Sequence, residues 1–136
     1  MAEVKKVATR DAYGAALAKL GAEHDNLVVV VDNNGLQIDG NIADVMSPYP
    51  IFDKLVAFGF HTIAIDGHDF DAIESAMNEA KTVKGQPTAI LMSTTKGKDV
   101  SYMENDAGWH GKAPNDAEYE VAMTELKAIL AELEGK

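Results

Sequence analysis

Cysteine is absent from all 136 residues, which excludes a disulfide framework, a thiolate metal site and a thiol nucleophile. Basic residues are scarce. Twelve Lys and Arg stand against 22 Asp and Glu, for a formal net charge of −10. A nucleic-acid partner needs a basic face, so that class falls away. A phosphorylated small molecule needs only a local cluster of donors and stays open. No apolar run approaches the length of a membrane span, and the opening MAEVKKVATRD lacks the apolar centre of a secretory signal. The expectation is a cytoplasmic chain with no membrane partner. GxGxxG, Walker-type and HExxH patterns are all missing, and no Ser-His-Asp set has readable geometry. What is present is an ordinary globular composition, 46% hydrophobic and 25% charged. It suits a single α/β domain over residues 1–136, large enough for a core but small for an autonomous enzyme.

The chain is organised around NLVVVVDNNGLQIDG, residues 26–40. A short β-branched run from Leu27 to Val31, closed by Asp32-Asn33-Asn34-Gly35, predicts a strand buried on both faces of a parallel sheet. In open α/β sheets ligands sit in the loop leaving such a strand. This loop carries amide, carboxylate and carbonyl oxygens, the hard donors that Mg²⁺ or Ca²⁺ prefers. A plain polar turn with an Asn-Gly step explains the same residues.

Around that strand the pattern predicts a helix over 9–21, capped by Thr9, with Tyr13, Ala16, Leu17 and Leu20 as its stripe. A helical turn over 42–46 and a helix entered at Pro50 follow, the latter facing inward through Ile51, Phe52, Leu55 and Val56. HTIAI, residues 61–65, reads as a second strand. Asp69 caps a helix whose apolar face is Phe70, Ile73, Ala76, Met77 and Ala80. Residues 88–92 form a third strand, and Ser93–Pro114 is a long loop without structure of its own. Asn115 and Glu118 predict a capping box on a last helix over 116–133, striped by Tyr119, Ala122, Leu126, Ile129, Leu130 and Leu133. The order α-β-α-β-α-β-α predicts a small three-layer α-β-α sandwich with a parallel sheet. Three strands leave two sheet edges open, which points to an oligomer.

Among the histidines, His24 reads as exposed, and His61 and His68 as strand-end residues. His110, in Trp109-His110-Gly111-Lys112, is the one placed to meet a phosphate or a sugar hydroxyl. Asp32, Asp39, Asp66 and Asp69 fall at or after strand ends and are candidates for one rim. Thr95-Lys96-Gly97-Lys98 is a short Gly/Lys loop of the kind that holds anions. Met77, Met92 and Met123 read as core filler.

Four runs, DNNGLQIDG (32–40), FGFHTIAIDGHD (58–69), TTKGKDVSYMENDAGWHGKAPN (94–115) and the closing helix, resemble transketolase. Residues 25–136 resemble the diphosphate-binding domain in the short subunit of split bacterial transketolases. That resemblance implies a truncated thiamine diphosphate-binding fold. It implies Mg²⁺ ligated by the side-chain oxygen of Asn34 and the carbonyl of Leu36, with Ile38 near the cofactor. His110 would be catalytic, meeting the cofactor diphosphate and the donor sugar. Residues 1–30, with KKVATRDAYGAALAKLGAEHDNLVV, resemble instead the opening of the pyrimidine-binding subunit. A chimera joined at Asp25–Val29 is implied.

The family's Gly-Asp-Gly motif is missing, so the aspartate ligand is missing with it. Asp99 stands where the family usually has glycine. The resemblance thus implies a fragment of a ketol-transferring enzyme of the pentose phosphate pathway, catalytically incompetent alone. Its partner would be a pyrimidine-domain subunit or a second copy, and its substrates, if active, sugar phosphates. Two alternatives stay open: a non-catalytic recombined or engineered α/β domain that only oligomerises, and a domain that binds a phosphorylated metabolite through the 94–112 loop.

Overall fold

In the computed structural model residues 16, 19–21 and 23–135 are described. The predicted first helix therefore falls largely outside the described residues, including Thr9, Tyr13 and Leu17; residues 16, 19–21 and 23 are helical. The chain is α/β with a parallel sheet. The ordered elements are β1 (Val28–Asn33), β2 (Leu36–Gln37), β3 (Gly40–Asn41), α1 (Ile42–Met46), α2 (Ile51–Ala57), β4 (His61–Asp66), α3 (Phe70–Thr82), β5 (Thr88–Ser93), a 3-10 turn (Ala107–Trp109) and α4 (Asp116–Glu134). They fall into two compact units, Met1–Asp32 with Pro50–Met92, and Asn33–Tyr49 with Ser93–Lys136.

The first unit is built on the three-stranded sheet, in the order β1-β5-β4. The Thr88 amide donates to the Leu27 carbonyl at 2.9 Å, and the His61 amide to the Pro87 carbonyl at 2.8 Å. All three strands thus start from one edge, which is the parallel arrangement. The buried strand is β5, where Thr88 and Ala89 are fully inaccessible and Ile90 is 2% exposed. This corrects the expectation for Leu27–Val31. Among the described residues β1 lies at a sheet edge with one strand neighbour, and Val30 is 51% exposed.

Helix α3 begins as expected. Asp69 Oδ1 accepts from the amides of Asp71 at 2.9 Å and Ala72 at 3.1 Å, satisfying two donors the first turn leaves open. It packs against β4 and buries Ala76 and Ala80, small residues that permit close approach. Phe70 (85% exposed) and Met77 (40%) are expected inside but lie on the flank. With 3.6 residues per turn the buried arc centres on Ile73, Ala76 and Ala80 and leaves those two beside it. The same happens in α2. Ile51 and Leu55 are half-buried while Phe52 and Val56 are exposed.

In the second unit the polar stretch after β1 contains an unexpected hairpin. β2 and β3 pair antiparallel, Leu36 opposite Asn41 and Gln37 opposite Gly40. The Ile42 amide closes it on the Gly35 carbonyl at 2.9 Å. Asn41 then caps α1, accepting from the Ala43 amide at 2.8 Å. The capping box of α4 is complete: the Glu118 amide donates to Asn115 Oδ1 at 3.0 Å, and the Asn115 amide to Glu118 Oε2 at 2.8 Å. Of the predicted stripe only Ala122 is buried. Tyr119, Leu126, Leu130 and Leu133 are exposed. Among the described residues no helix is long and apolar enough to cross a membrane.

Candidate functional site

Asn34, Leu36, Ile38 and His110 all belong to the second unit. Asn34 Oδ1 accepts a hydrogen bond from the Leu36 amide at 3.0 Å. This Asx turn follows from an amide two residues before a free N–H. It orients the Asn34 carboxamide and occupies one of the two lone pairs on its oxygen. Ile38 sits at the hairpin tip, 68% exposed. Strand β3 lies against the 3-10 turn Ala107–Trp109, and His110 terminates that turn, its amide donating to Ala107 at 3.0 Å. The fold therefore brings the hairpin that follows Asn34 and begins with Leu36 alongside the segment that ends in His110.

The expectation of a structureless loop over 93–114 is corrected. Successive turns run through it: Val100 amide to Gly97, Met103 amide to Val100, and Asn105 amide back to the Lys96 carbonyl at 2.8 Å. Val100 is buried at 8% exposure. Gly97, at φ 66°, is packed so tightly that a Cβ there would stand 2.6 Å from the Met103 carbonyl oxygen. Asp99 also has a positive φ, 68°, a conformation glycine adopts freely and most L residues resist.

A cluster that the sequence barely signals anchors this loop to α4. Trp109 Nε1 donates to the Tyr102 carbonyl at 2.7 Å, and the two rings stand 5.0 Å apart. Tyr102 Oη donates to the Glu118 carbonyl at 2.7 Å. Lys112 Nζ lies 3.8 Å from the Trp109 ring centroid and 3.2 Å from Glu118 Oε1. Below them, the Ser101 amide donates to Glu125 Oε2 at 2.9 Å. Burial, then the carboxylates of Glu118 and Glu125, raise the Tyr102 phenol. The Asn115 backbone bond lowers Glu118, helped by Lys112, and bonds from Ser101 lower Glu125. The i, i+3 placement of Trp109 and Lys112 is the one sequence sign of this cluster.

The other candidates are engaged elsewhere. Asp66 accepts from the His68 amide at 2.8 Å and Asp69 caps α3, so both aspartates beside His68 serve the backbone. His61 Nε2 lies 2.6 Å from Glu79 Oε1, and His24 is exposed as expected. Asp32 belongs to the first unit and Asp39 to the second. Lys98 pairs with Asp99 at 2.9 Å and Lys112 with Glu118, so two of the three lysines expected to meet an anion already face carboxylates.

As a magnesium site the donor set is partial. Mg²⁺ demands near-octahedral oxygen coordination. Asn34 and Leu36 offer one amide oxygen and one carbonyl, and among the described residues no group of three or more His, Asp or Glu could hold a metal. The residues present do not fit a complete cage.

Residues 8–129 match the family described as transketolase, thiamine diphosphate binding domain, a span that takes in most of the segment 1–30. The 6-deoxy-6-sulfo-D-fructose transketolase subunit SqwG of Clostridium sp. (strain MSTE9) is 37% identical over 115 residues, covering 85% of this chain and 42% of that protein. An apulose-4-phosphate transketolase subunit of Phocaeicola vulgatus is 36% identical over 122 residues, covering 90% of this chain and 43% of that one. The chain thus spans less than half the length of these relatives. A crystal structure of Pichia stipitis transketolase in complex with sedoheptulose 7-phosphate superposes with a TM-score of 0.76 over 85% of this chain and 17% of that enzyme, at 24% identity, a likeness of fold. By the span and character of the family match, this chain is a member of the transketolase thiamine diphosphate-binding domain family.

Proposed function

We propose that the chain is the diphosphate side of a transketolase-type cofactor site, incompetent alone and completed by a partner chain. The observation that carries this reading is the juxtaposition of the β2–β3 hairpin with the turn ending in His110, inside a chain of this family. Residues 1–136 work as one α/β domain. Asn34 and Leu36 would offer two of the oxygens a Mg²⁺ ion needs, the rest coming from outside this chain; Ile38 would lie against the cofactor, and His110 would meet the diphosphate and the donor sugar phosphate. Thiamine diphosphate, when bound, supplies the carbon nucleophile for moving a two-carbon ketol unit. The protein's share is to hold it: the Asx turn fixes the Asn34 oxygen, and the anchored 94–115 loop fixes His110. Among the described residues no group of three or more His, Asp or Glu gathers to replace the missing Gly-Asp-Gly aspartate, and this gap supports the reading of incompetence alone.

The partner is a pyrimidine-domain subunit. Both relatives are themselves named as subunits, which supports this reading; a homo-oligomer is the competing assembly. A cytoplasmic location suits sugar-phosphate substrates. The chimeric join at Asp25–Val29 is supported by the text of residues 1–30, while the family match from residue 8 counts against it.

The experiment is calorimetric titration with thiamine diphosphate and Mg²⁺, with and without a pyrimidine-domain subunit. Binding only with the partner present, weakened about tenfold (roughly 1.4 kcal/mol) by Asn34→Ala, is expected. Heat in neither case leaves the non-catalytic domain standing. Ketol transfer by the chain alone overturns the reading.

A further inference from the structure

Helix α4 carries a stripe that this structure leaves in water. Tyr119 is 51% exposed, Leu126 40%, Leu130 52% and Leu133 62%. Steps of seven, four and three residues put all four on one face of a 3.6-residue helix. The helix is already held to its own unit through a different face. Glu118 and Glu125 take bonds from the 101–115 loop, and Ala122 between them is buried. The stripe is therefore a second surface, about a quarter turn away from the packed one.

Its borders are acidic. Asp116, Glu120 and Glu134 flank the stripe on the side away from the loop, three acids to Lys127, the one base of the helix, which lies on the same border. A second copy of α4 is a poor occupant. Antiparallel pairing sets Asp116 and Glu120 of one copy against the Glu132–Glu134 end of the other, acid against acid at both ends, in a chain of net charge −10. An apolar seam with acidic borders fits an amphipathic helix whose own seam is bordered by Lys and Arg, the helix-in-groove mode of recognition.

We propose that the Tyr119–Leu126–Leu130–Leu133 face of α4 docks an amphipathic helix with basic flanks from a different polypeptide. The surface is independent of the cofactor reading. It involves neither Asn34 nor His110, and its occupant is defined by charge and apolar spacing alone. Apolar burial supplies the affinity, and the acidic border selects the partner and its orientation.

The test uses the full chain and three synthetic peptides of equal length, read by fluorescence anisotropy. One is an amphipathic helix with Lys/Arg flanks, one has the same seam with Glu flanks, and one is a scramble of the basic peptide. The basic amphipathic peptide is expected to bind at least about tenfold more tightly than either control, and to weaken as salt rises. Leu130→Ser and Leu133→Ser leave charge unchanged at exposed positions; each is expected to weaken binding severalfold with the circular dichroism spectrum preserved. Equal binding of the basic peptide and its scramble overturns the proposal, because charge alone then accounts for it. So does binding insensitive to both serine variants. A concentration-dependent dimer in sedimentation that the same variants dissolve also overturns it, in favour of a second copy.

Discussion

The ammonium of Lys112 stands 3.8 Å from the centroid of the Trp109 ring. The same ammonium reaches Glu118 Oε1 at 3.2 Å, so a single cation joins the loop that carries His110 to the first turn of α4. Trp109 is the mechanical centre of that join, because it also bonds the Tyr102 carbonyl and packs on the Tyr102 ring. Trp109→Ala removes the ring contact, the cation–π pair and one hydrogen bond together. The ring is only half-buried, so the cost falls below that of a core Trp, at about 2 kcal/mol. Hydrogen exchange checks it: amides over 100–112 should exchange faster, while those of β5 should hardly change.

Acid should undo the same join. Glu118 and Glu125 are both held below their ordinary 4.5, Glu118 chiefly by the Asn115 backbone bond and Glu125 chiefly by the Ser101 side chain. A carboxyl with a depressed folded pKa binds protons more weakly folded than unfolded. Its stabilisation is therefore complete above the ordinary value and is lost as pH falls through the folded one. Tyr102, raised chiefly by burial, works at the other end. Its contribution is complete below pH 10.0 and is lost as pH rises through the folded value. Urea unfolding should show stability falling below pH 4.5, and the double variant Glu118→Gln, Glu125→Gln should flatten that acid limb.

Two residues of one loop should respond oppositely to the exchange of glycine. Gly97 and Asp99 both have a positive φ, 66° and 68° respectively. At Gly97 a Cβ meets the Met103 backbone at 2.6 Å, so Gly97→Ala combines overpacking with a left-handed strain and should cost about 3 kcal/mol. Asp99 is exposed and already carries the strain. Asp99→Gly relieves about 1 kcal/mol of it and returns part of that as unfolded-chain entropy, leaving a gain of about 0.5 kcal/mol. Chemical denaturation of the two variants side by side decides the signs.

These positions also mark where the sequence is legible. Asp69, Asn115 and Glu118 announce their helices because a cap is a local bond between residues three apart or fewer. The strands at 61–66 and 88–93 lie within one residue of expectation, from runs closed by Gly, Asp or Pro. Which strand is central is not local. The apolar text of Val28–Val31 and of Ala89–Met92 is equivalent, and only the order β1-β5-β4 makes the second the buried one. The hairpin at 36–41 escapes a reading by pattern because its strands are two residues each, too short to show alternation, although Asn34-Gly35 and Asp39-Gly40 bracket it. Of the proposed cofactor site, Asn34, Leu36, Ile38 and His110 are named by the family resemblance alone. The Lys112–Glu118 pair is not legible, since it depends on how a loop folds back on a helix.

Thr88 offers the cleanest energetic test in the core. It opens β5 with no accessible surface, and its hydroxyl has no hydrogen-bond partner among the described residues, while its backbone amide is satisfied by Leu27. A buried hydroxyl left unpaired costs about 1–3 kcal/mol in lost hydration. Thr88→Val keeps the β-branched shape that suits a strand and replaces the oxygen with a methyl. It should therefore raise stability by about 1 kcal/mol. Thr88→Ser makes the opposite exchange, keeping the hydroxyl and deleting the methyl. It should lower stability by about 1 kcal/mol through lost burial and a small void. Thermal unfolding of the pair separates polar desolvation from packing at a single site. If the valine variant is the less stable of the two, the hydroxyl has a partner and β5 is held differently from the arrangement seen here.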